Sequence, residues 1–321
     1  MSSPRRVDAP SWDLYGAFLA VMQTGSLSGA SRALRVAQPT VRRQIESLEE
    51  ALGVALFTRA PNGLTPTEAA RTTLPHAEAI AASAQAFVRA ASAPAGEVAG
   101  TVRVTCSEVV GVEVLPPMLA SLRRAHPSLG IELVLDDRNQ DLLRREADVA
   151  VRMATPTQEG LVRTRAAAIE LGFFAAPAYL QDRAMPASLA ALRGHALIGP
   201  DRSRAALDAI AALGVPVAPR DFALRTDATV AQLAAIRAAV GIGICQVPLA
   251  RAPVPLVRVL PSHRFTLEAW VVTHEDLRGL ARVRAVTEHL VRGLAAYAAS
   301  GETKSEKGKT RPKGAHRARV R

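Results

Sequence analysis

Between Gln38 and Leu52 the apolar residues Val41, Ile45, Leu48 and Leu52 fall at steps of four, three and four, with Thr40, Arg42, Arg43, Glu46 and Glu50 on the other side. That is the period of an amphipathic helix. Pro39 suits its first position, where a missing N–H costs nothing. The polar face is cationic at its start and acidic at its far end, which opposes the helix dipole. An anion met by the N-terminal turn accounts for the pattern better than dipole complementarity does; a solvated charged face is the plain alternative for such a helix alone. Upstream, Leu14, Phe18 and Val21 predict a helix ending near Thr24–Gly25. SLSGASRALRV then predicts a short helix with Ala30, Ala33 and Leu34 inward and Ser28 near its start, and RVAQ separates it from Pro39. Two short helices and a tight turn, the second cationic at its start, make a helix-turn-helix, whose second helix enters the major groove by its N-terminal end. Asn62-Gly63 between two short extended runs predicts a hairpin, read as a wing.

Downstream the period changes. From Thr67 to Ala91, small or apolar residues at 70, 74, 77, 81, 84, 88 and 91 predict a coiled-coil-like seam. Packing of that helix on its own domain is the alternative, and Pro75 predicts a kink or a late start. ASAPAGEVAG reads as a hinge-like linker. After it TVRVTC, GIELVLD and ADVAVRM read as strands, with VLPPMLASLRRAH and NQDLLRRE between them, which predicts α/β patterning with a parallel sheet. A second set follows: AAIELGFFAA, HALIGP, DFALRT, the helix DATVAQLAAIRAAV and GIGICQVP.

Charge sharpens the picture at the two ends. The net charge of +11 points to an acidic partner. Residues 301–321 hold eight Lys/Arg against Glu302 and Glu306, which gives +6. The N-terminal module is also basic, and the middle is nearly neutral. A basic N-terminal module fits nucleic acid. The tail has too few apolar residues to bury a core and is expected to be disordered. Two cysteines, Cys106 and Cys245, are too few for a disulfide scaffold and suggest a reducing cytoplasm. No apolar run reaches ~18 residues, and MSSPRRVDAP lacks the apolar core of a secretory signal. Neither a membrane span nor export is therefore predicted.

The segment Gly25–Arg59 together with LTPTEA (Leu64–Ala69) resembles the LysR-type transcriptional regulators. The residues that carry the resemblance are Gly25-Ser26, Gln38-Pro39, Leu48-Glu49, Leu52-Gly53 and Leu56-Phe57-Thr58-Arg59. Arg42 stands where the family often has serine, and Ala70 where it often has glycine. The resemblance runs over residues 12 to 299 and implies an α/β chain in three parts: a winged helix-turn-helix at 10–66, a dimerising linker helix at 67–92, and a two-lobed effector domain like periplasmic solute-binding proteins at 93–300. In that domain lobe I takes 98–162 and 265–300, lobe II takes 163–264, and the basic tail occupies 301–321. LEAWVVTHE and LARVRAVTEHLVRGLAAYA would complete lobe I, and GIGICQVP matches a family Gly-x-Gly-x-x-x-x-Pro stretch near a lobe crossing. The implied function is sequence-specific binding of double-stranded promoter DNA by a homodimer or homotetramer, modulated by a small-molecule effector. Gln38, Pro39, Thr40, Arg42 and Arg43 are expected to read DNA, with Ser28, Arg32 and Arg59 on phosphates.

Ligands of open α/β sheets bind beyond the carboxyl ends of strands. The first strand ends at Thr105-Cys106-Ser107-Glu108, before a helix whose N–H groups would attract an anion; a plain N-cap is the alternative for Ser107. Arg152 and Met153 end the third strand, and Arg152 has the planar fork that pairs with carboxylates. Thr226-Asp227 opens a helix, where Asp227 also fits as a simple N-cap. Phe173 and Gly243 follow from family position alone. The effector is thus expected to be anionic. Rival classes are weaker. There is no Walker loop, Cys-x-x-Cys or His-Glu-x-x-His, so no enzyme, cofactor or metal site is predicted. His274-Glu275-Asp276 reads as a surface turn. A solute-binding protein would lack the winged module. A redox-responsive regulator would need reactive cysteines, whereas both sit at apolar strand ends.

Overall fold

The computed structural model describes residues 10–60, 63–92, 96–136, 147–156, 158, 160–212, 214, 218–251 and 255–301. NQDLLRRE, Asn62 and the tail beyond Gly301 fall outside them. The chain divides near residue 92 into two compact units.

The first unit contains α1 (Trp12–Thr24), α2 (Leu27–Leu34), α3 (Gln38–Leu52), β1 (Phe57–Ala60), β2 (Gly63–Pro66) and α4 (Glu68–Ala90). Gly25 ends α1 in the left-handed conformation at φ 68°, where glycine carries no steric penalty. The Ser26 side chain then caps α2 by accepting from the Gly29 N–H at 3.1 Å. Beneath α3 the buried Val41, Ile45 and Leu48 meet Phe18, Val21, Ala30 and Leu56 in one core. Two expectations need correction. Ala30 is buried, but Ala33 and Leu34 are exposed, because an eight-residue helix shows only one narrow face to its neighbours. Helix α3 starts at Gln38, so Pro39 is its second residue.

The wing forms as an antiparallel pair with Ala60 opposite Gly63. Gly63 has φ 135°, and a Cβ there would lie 2.6 Å from the Gly25 carbonyl oxygen, so the wing docks closely on the turn after α1. The seam expected along 70–91 splits in two. Ala70, Leu74 and Ala77 pack on the unit's own core, while the later positions Ala84 and Val88 are exposed. The helix begins at Glu68 behind Thr67, whose hydroxyl accepts from the Ala70 N–H, and it runs through Pro75 without a late start.

The second unit opens with β3 (Gly100–Cys106) and a π-helical turn, Val110–Val114, that leads into α5 (Leu115–Ala125). Then come β4 (Leu129–Leu135), β5 (Val149–Arg152) and the long β6 (Leu161–Ala175). The middle of the unit holds α6 (Pro177–Leu180), β7 (Leu197–Gly199), α7 (Arg204–Ala212), β8 (Phe222–Arg225), α8 (Thr229–Arg237), β9 (Gly243–Gln246) and β10 (Val257–Val259). Strand β11 (Phe265–His274) and α9 (Ala281–Ser300) close it. The main sheet has the order β10-β6-β11-β5-β3-β4, with β9 also on β6. Strand β3 is parallel to β4 and β5, and β7 is parallel to β8, but β11 runs antiparallel to both β5 and β6. The sheet is therefore mixed rather than parallel. Helices α5 and α9 cover the β3 side, where Val102, Val104, Leu122, Leu290 and Leu294 form part of the main core. Phe173, Tyr179, Leu192 and Ile242 form a second core around β7 and β10. No described helix is long and apolar enough to cross a membrane.

Gly241 is a tight point. A Cβ there would lie 2.2 Å from the Ala196 carbonyl oxygen, which accepts the Ile242 N–H at 2.9 Å. Gly241→Ala must push β7 away from the residues that lead into β9. We expect a cost of about 1–3 kcal/mol, read as a lower urea midpoint for unfolding of the second unit; an unchanged midpoint would show that the approach is looser than described.

Candidate nucleic-acid interface and ligand cavity

On the first unit, Ser28, Arg32, Gln38, Pro39, Arg42, Arg43 and Arg59 are exposed, and Thr40 is half-buried. Arg42 of α3 and Arg59 of β1 line one small cleft of 130 Å³ between helix and wing, together with Glu46 and Glu49. Neither Arg42, Arg43 nor Arg59 has an ion-pair partner among the described residues, so their planar donor forks remain available. The acidic far end of α3 has a structural use that the sequence did not disclose. The Glu49 carboxylate accepts from the backbone N–H groups of Leu56 at 2.7 Å and Phe57 at 3.1 Å. It thereby fixes where the chain turns out of α3 into the wing, since a carboxylate bonded to two amides is a strong charge-assisted contact. Its signal was the spacing of Glu49 from a segment whose first strand amides have no helical partner.

On the second unit a cavity of 400 Å³ lies between α7, α8, β9 and the paired strands β6 and β11, near Leu171 and Leu267. Of the residues expected around an effector, it brings in Asp227. Ser107 and Glu108 sit immediately before Val109, which lines the wall. Ser107 stands at the start of the helix, and its carbonyl accepts the Gly111 N–H at 2.9 Å. Thr105 and Cys106 are buried beneath the end of β3. Arg152 is also buried, with Nη1 at 3.4 Å from the Asp136 and Val151 carbonyl oxygens, so its guanidinium is engaged by the protein and is absent from the cavity wall. Met153 packs on the main core. Phe173 turns into the second core and meets Phe265 edge-on at 5.5 Å. Gly243 lies under Ile236, whose Cδ1 would be 2.7 Å from a Cβ. Both positions serve packing, and it is their neighbour Ile244 that reaches the cavity.

Asp227 caps, but not the helix it precedes. Its carboxylate accepts from the N–H groups of Asp201 at 2.9 Å, Arg202 at 3.1 Å and Ser203 at 3.0 Å, ahead of α7. These bonds, that to Ser203 foremost, hold its carboxyl below the usual carboxylate range. Thr226 closes the turn locally, its hydroxyl accepting from the Ala228 N–H and its carbonyl from Gln232 Nε2 at 2.6 Å. Sequence reasoning missed Ser203, Thr229, Gln232 and Gln246, which supply the remaining polar lining. The strand-end rule points to Ser203 once it is applied after β7, and to Thr229 once it is carried past Asp227 into the first turn of α8. Nearby, Arg237 of α8 makes a two-armed ion pair with Glu113 at 2.7 and 3.0 Å, tying α8 to the π-helical turn after β3. That pair raises the Arg237 pKa further above its ordinary value, through the hydrogen bond to Glu113 before any other cause. Among the described residues no cluster of His, Cys, Asp and Glu could hold a metal ion.

The fold and these features define a winged helix-turn-helix module joined to an α/β ligand-binding unit. The chain belongs to the LysR family: residues 95–295 match the LysR substrate binding domain, and residues 12–71 match the bacterial regulatory helix-turn-helix protein, lysR family. It is 34% identical over 149 residues to the transcriptional regulator ClcR of Pseudomonas putida, covering 45% of this chain and 50% of that one. With the probable hydrogen peroxide-inducible genes activator of Mycobacterium leprae (strain TN) it shares 30% identity over 263 residues, 75% of this chain and 79% of that protein. The chain spans about half the length of several curated relatives it matches, between 50% and 61% of them. Its fold is that of CbnR, a LysR family transcriptional regulator, at TM-score 0.66 and 20% identity over 88% of this chain and 99% of CbnR.

Both cysteines are buried, and neither forms a disulfide. Burial pushes the Cys245 thiol up to about 12, which leaves roughly one thiolate in ten thousand near pH 8. Iodoacetamide near that pH should leave Cys245 unmodified in the native chain and modify it fully after denaturation, as read by mass spectrometry. Rapid native labelling would revive the redox-responsive reading.

Proposed function

We propose that this chain is a sequence-specific DNA-binding transcriptional regulator that works as a homo-oligomer and answers to a small molecule held in its second unit. The observation that carries the reading is α3. Its buried side is fixed by Val41, Ile45 and Leu48, and its first turns present Arg42 and Arg43 to solvent, with Arg59 of the wing across a narrow cleft from Arg42. Cations held on a rigid helix beside a wing suit a major groove with flanking phosphates. The family's membership among regulators supports this over an enzyme, and buried thiols favour it over a peroxide sensor. CbnR has been crystallised with its target DNA, and the same mode of use is proposed here.

Oligomerisation is supported by a groove of 570 Å³ along α1 and α4, lined by Trp12, Leu19, Leu34, Val36, Ile80 and Ala84. Trp12 is 68% exposed, and farther along α4 Phe87 is 76% exposed. Gln44 also lines the groove, and its Oε1 is shielded from solvent without a hydrogen-bond partner among the described residues. An apolar groove with an unmet acceptor fits a second copy of the same helix. The proposed organisation keeps 10–66 for DNA, 67–92 for assembly and 93–300 for the effector.

Arg43→Ala should cost about 1–3 kcal/mol on the cognate duplex and relax preference at one base pair. Arg59→Ala should weaken cognate and scrambled duplexes alike and flatten the salt dependence by about one counterion. Fluorescence anisotropy measures both, and equal affinity of the intact chain for cognate and scrambled duplexes at physiological salt would overturn the assignment. Ile80→Glu should reduce the molar mass in light scattering to that of a monomer, because a charge buried without a partner is costly. An unchanged mass would put the contact elsewhere.

A further inference from the structure

We propose that the cavity of the second unit takes an uncharged, mainly apolar small molecule carrying one hydroxyl or carbonyl group. The proposal rests on reading this unit as the effector-binding part of a regulator. It departs from the anionic effector that the helix start after β3 suggested.

The cavity measures 400 Å³, and Val109, Leu171, Ile210, Leu233, Ile244 and Leu267 make much of its wall. That size and lining suit a compact hydrophobic ligand. Among the described residues, no lysine, arginine or histidine lines it. A carboxylate brought here would shed its water with no cation to replace it, which is costly. The backbone N–H groups of Asp201, Arg202 and Ser203, ahead of α7, converge as an anion requires. They are already bonded to the Asp227 carboxylate at 2.9, 3.1 and 3.0 Å. The protein thus supplies its own anion, and a second one meets like charge. A cation gains little in exchange, because three amides and the neighbouring Arg202 charge already offset much of the Asp227 charge.

Part of the polar lining is already engaged within the protein. Gln232 is committed through Nε2 to the Thr226 carbonyl at 2.6 Å, and Gln246 accepts from the Tyr297 hydroxyl at 2.7 Å. Thr229 lines the cavity, and its Oγ1 is shielded without a partner among the described residues. A buried hydroxyl left unbonded costs free energy. Threonine in a helix has two accessible χ1 rotamers, and a turn about χ1 is the means by which this hydroxyl would meet a ligand.

The test uses the full chain near neutral pH and three probes of matched size: para-butylphenol, para-butylbenzoate and para-butylbenzylamine. Calorimetry should show the phenol binding at least about tenfold more tightly than either charged probe. Ala206→Phe, which places a ring in the cavity, should weaken the phenol by about tenfold or more and leave the circular dichroism unchanged. Asp227→Ala frees the three amides and should narrow the phenol-to-benzoate ratio by about threefold or more. Should that variant fail to fold, the wild type and Ala206→Phe still decide. Tightest binding of the benzoate, phenol binding indifferent to Ala206→Phe, or no binding by any probe would each overturn the proposal. Duplex affinity is measured separately with and without the phenol. Ligand binding that leaves it unchanged keeps the cavity chemistry and counts against the regulator reading.

Discussion

The second unit depends on the antiparallel pairing of β6 with β11, from Leu171 opposite Phe265 to Leu161 opposite His274. These strands lie far apart in sequence, and the pairing brings together everything that β3, β4 and β5 build on one side with what β9 and β10 build on the other. Leu171 and Leu267, one from each strand, also line the cavity. The position of the cavity is therefore set by a long-range pairing whose entropic cost is met only when the whole sheet forms. The shift in register between Ala269 and Trp270 lies within this pair, and bulges of this kind add twist to the strand they interrupt.

Two carboxylates show how this protein uses acidic residues where a reader expects solvent or repulsion. Glu49 holds the amides that lead into the wing, and Asp227 holds those that lead into α7. In each case a chain segment at the start of an element presents two or three N–H groups together, and a carboxylate from elsewhere in the chain satisfies them. A fixed anion at these points is stabilising because unpaired backbone donors are expensive once partly shielded. The consequence differs between the two units. In the first, Glu49 sets the angle of the wing against α3, which carries the cations. In the second, Asp227 fills a place that a ligand's carboxylate would otherwise take.

Much of the first unit was legible in the sequence because its contacts are local. Val41, Ile45 and Leu48 announce a buried face by spacing alone, and Gly25 announces the end of α1 as the residue type that takes a left-handed cap without strain. The inward faces of α2 and α4 were less legible. Ala33 and Leu34 look as apolar as Ala30, yet an eight-residue helix between α1 and α3 has room to bury only one of them. Along α4 the repeat of small residues is unbroken, but the core of the unit ends near Ala77, so the same pattern serves packing first and an open groove afterwards.

The sequence by itself determined the helices of the first unit, α5 and α8, the wing, the α/β alternation and the family, since each follows from short-range period, turn chemistry or motif. Tertiary structure alone decided which strand-end residues face a cavity. Ser107, Arg152 and Asp227 look equivalent as polar residues at strand ends. Folding engages Arg152 inside the protein, leaves Ser107 beside the wall and gives Asp227 to the amides before α7. The physical reason is that a polar side chain takes whichever partner the packed backbone offers it, and the Asp136 carbonyl that meets Arg152 and the Asp201 amide that meets Asp227 lie 16 and 26 residues away in the chain.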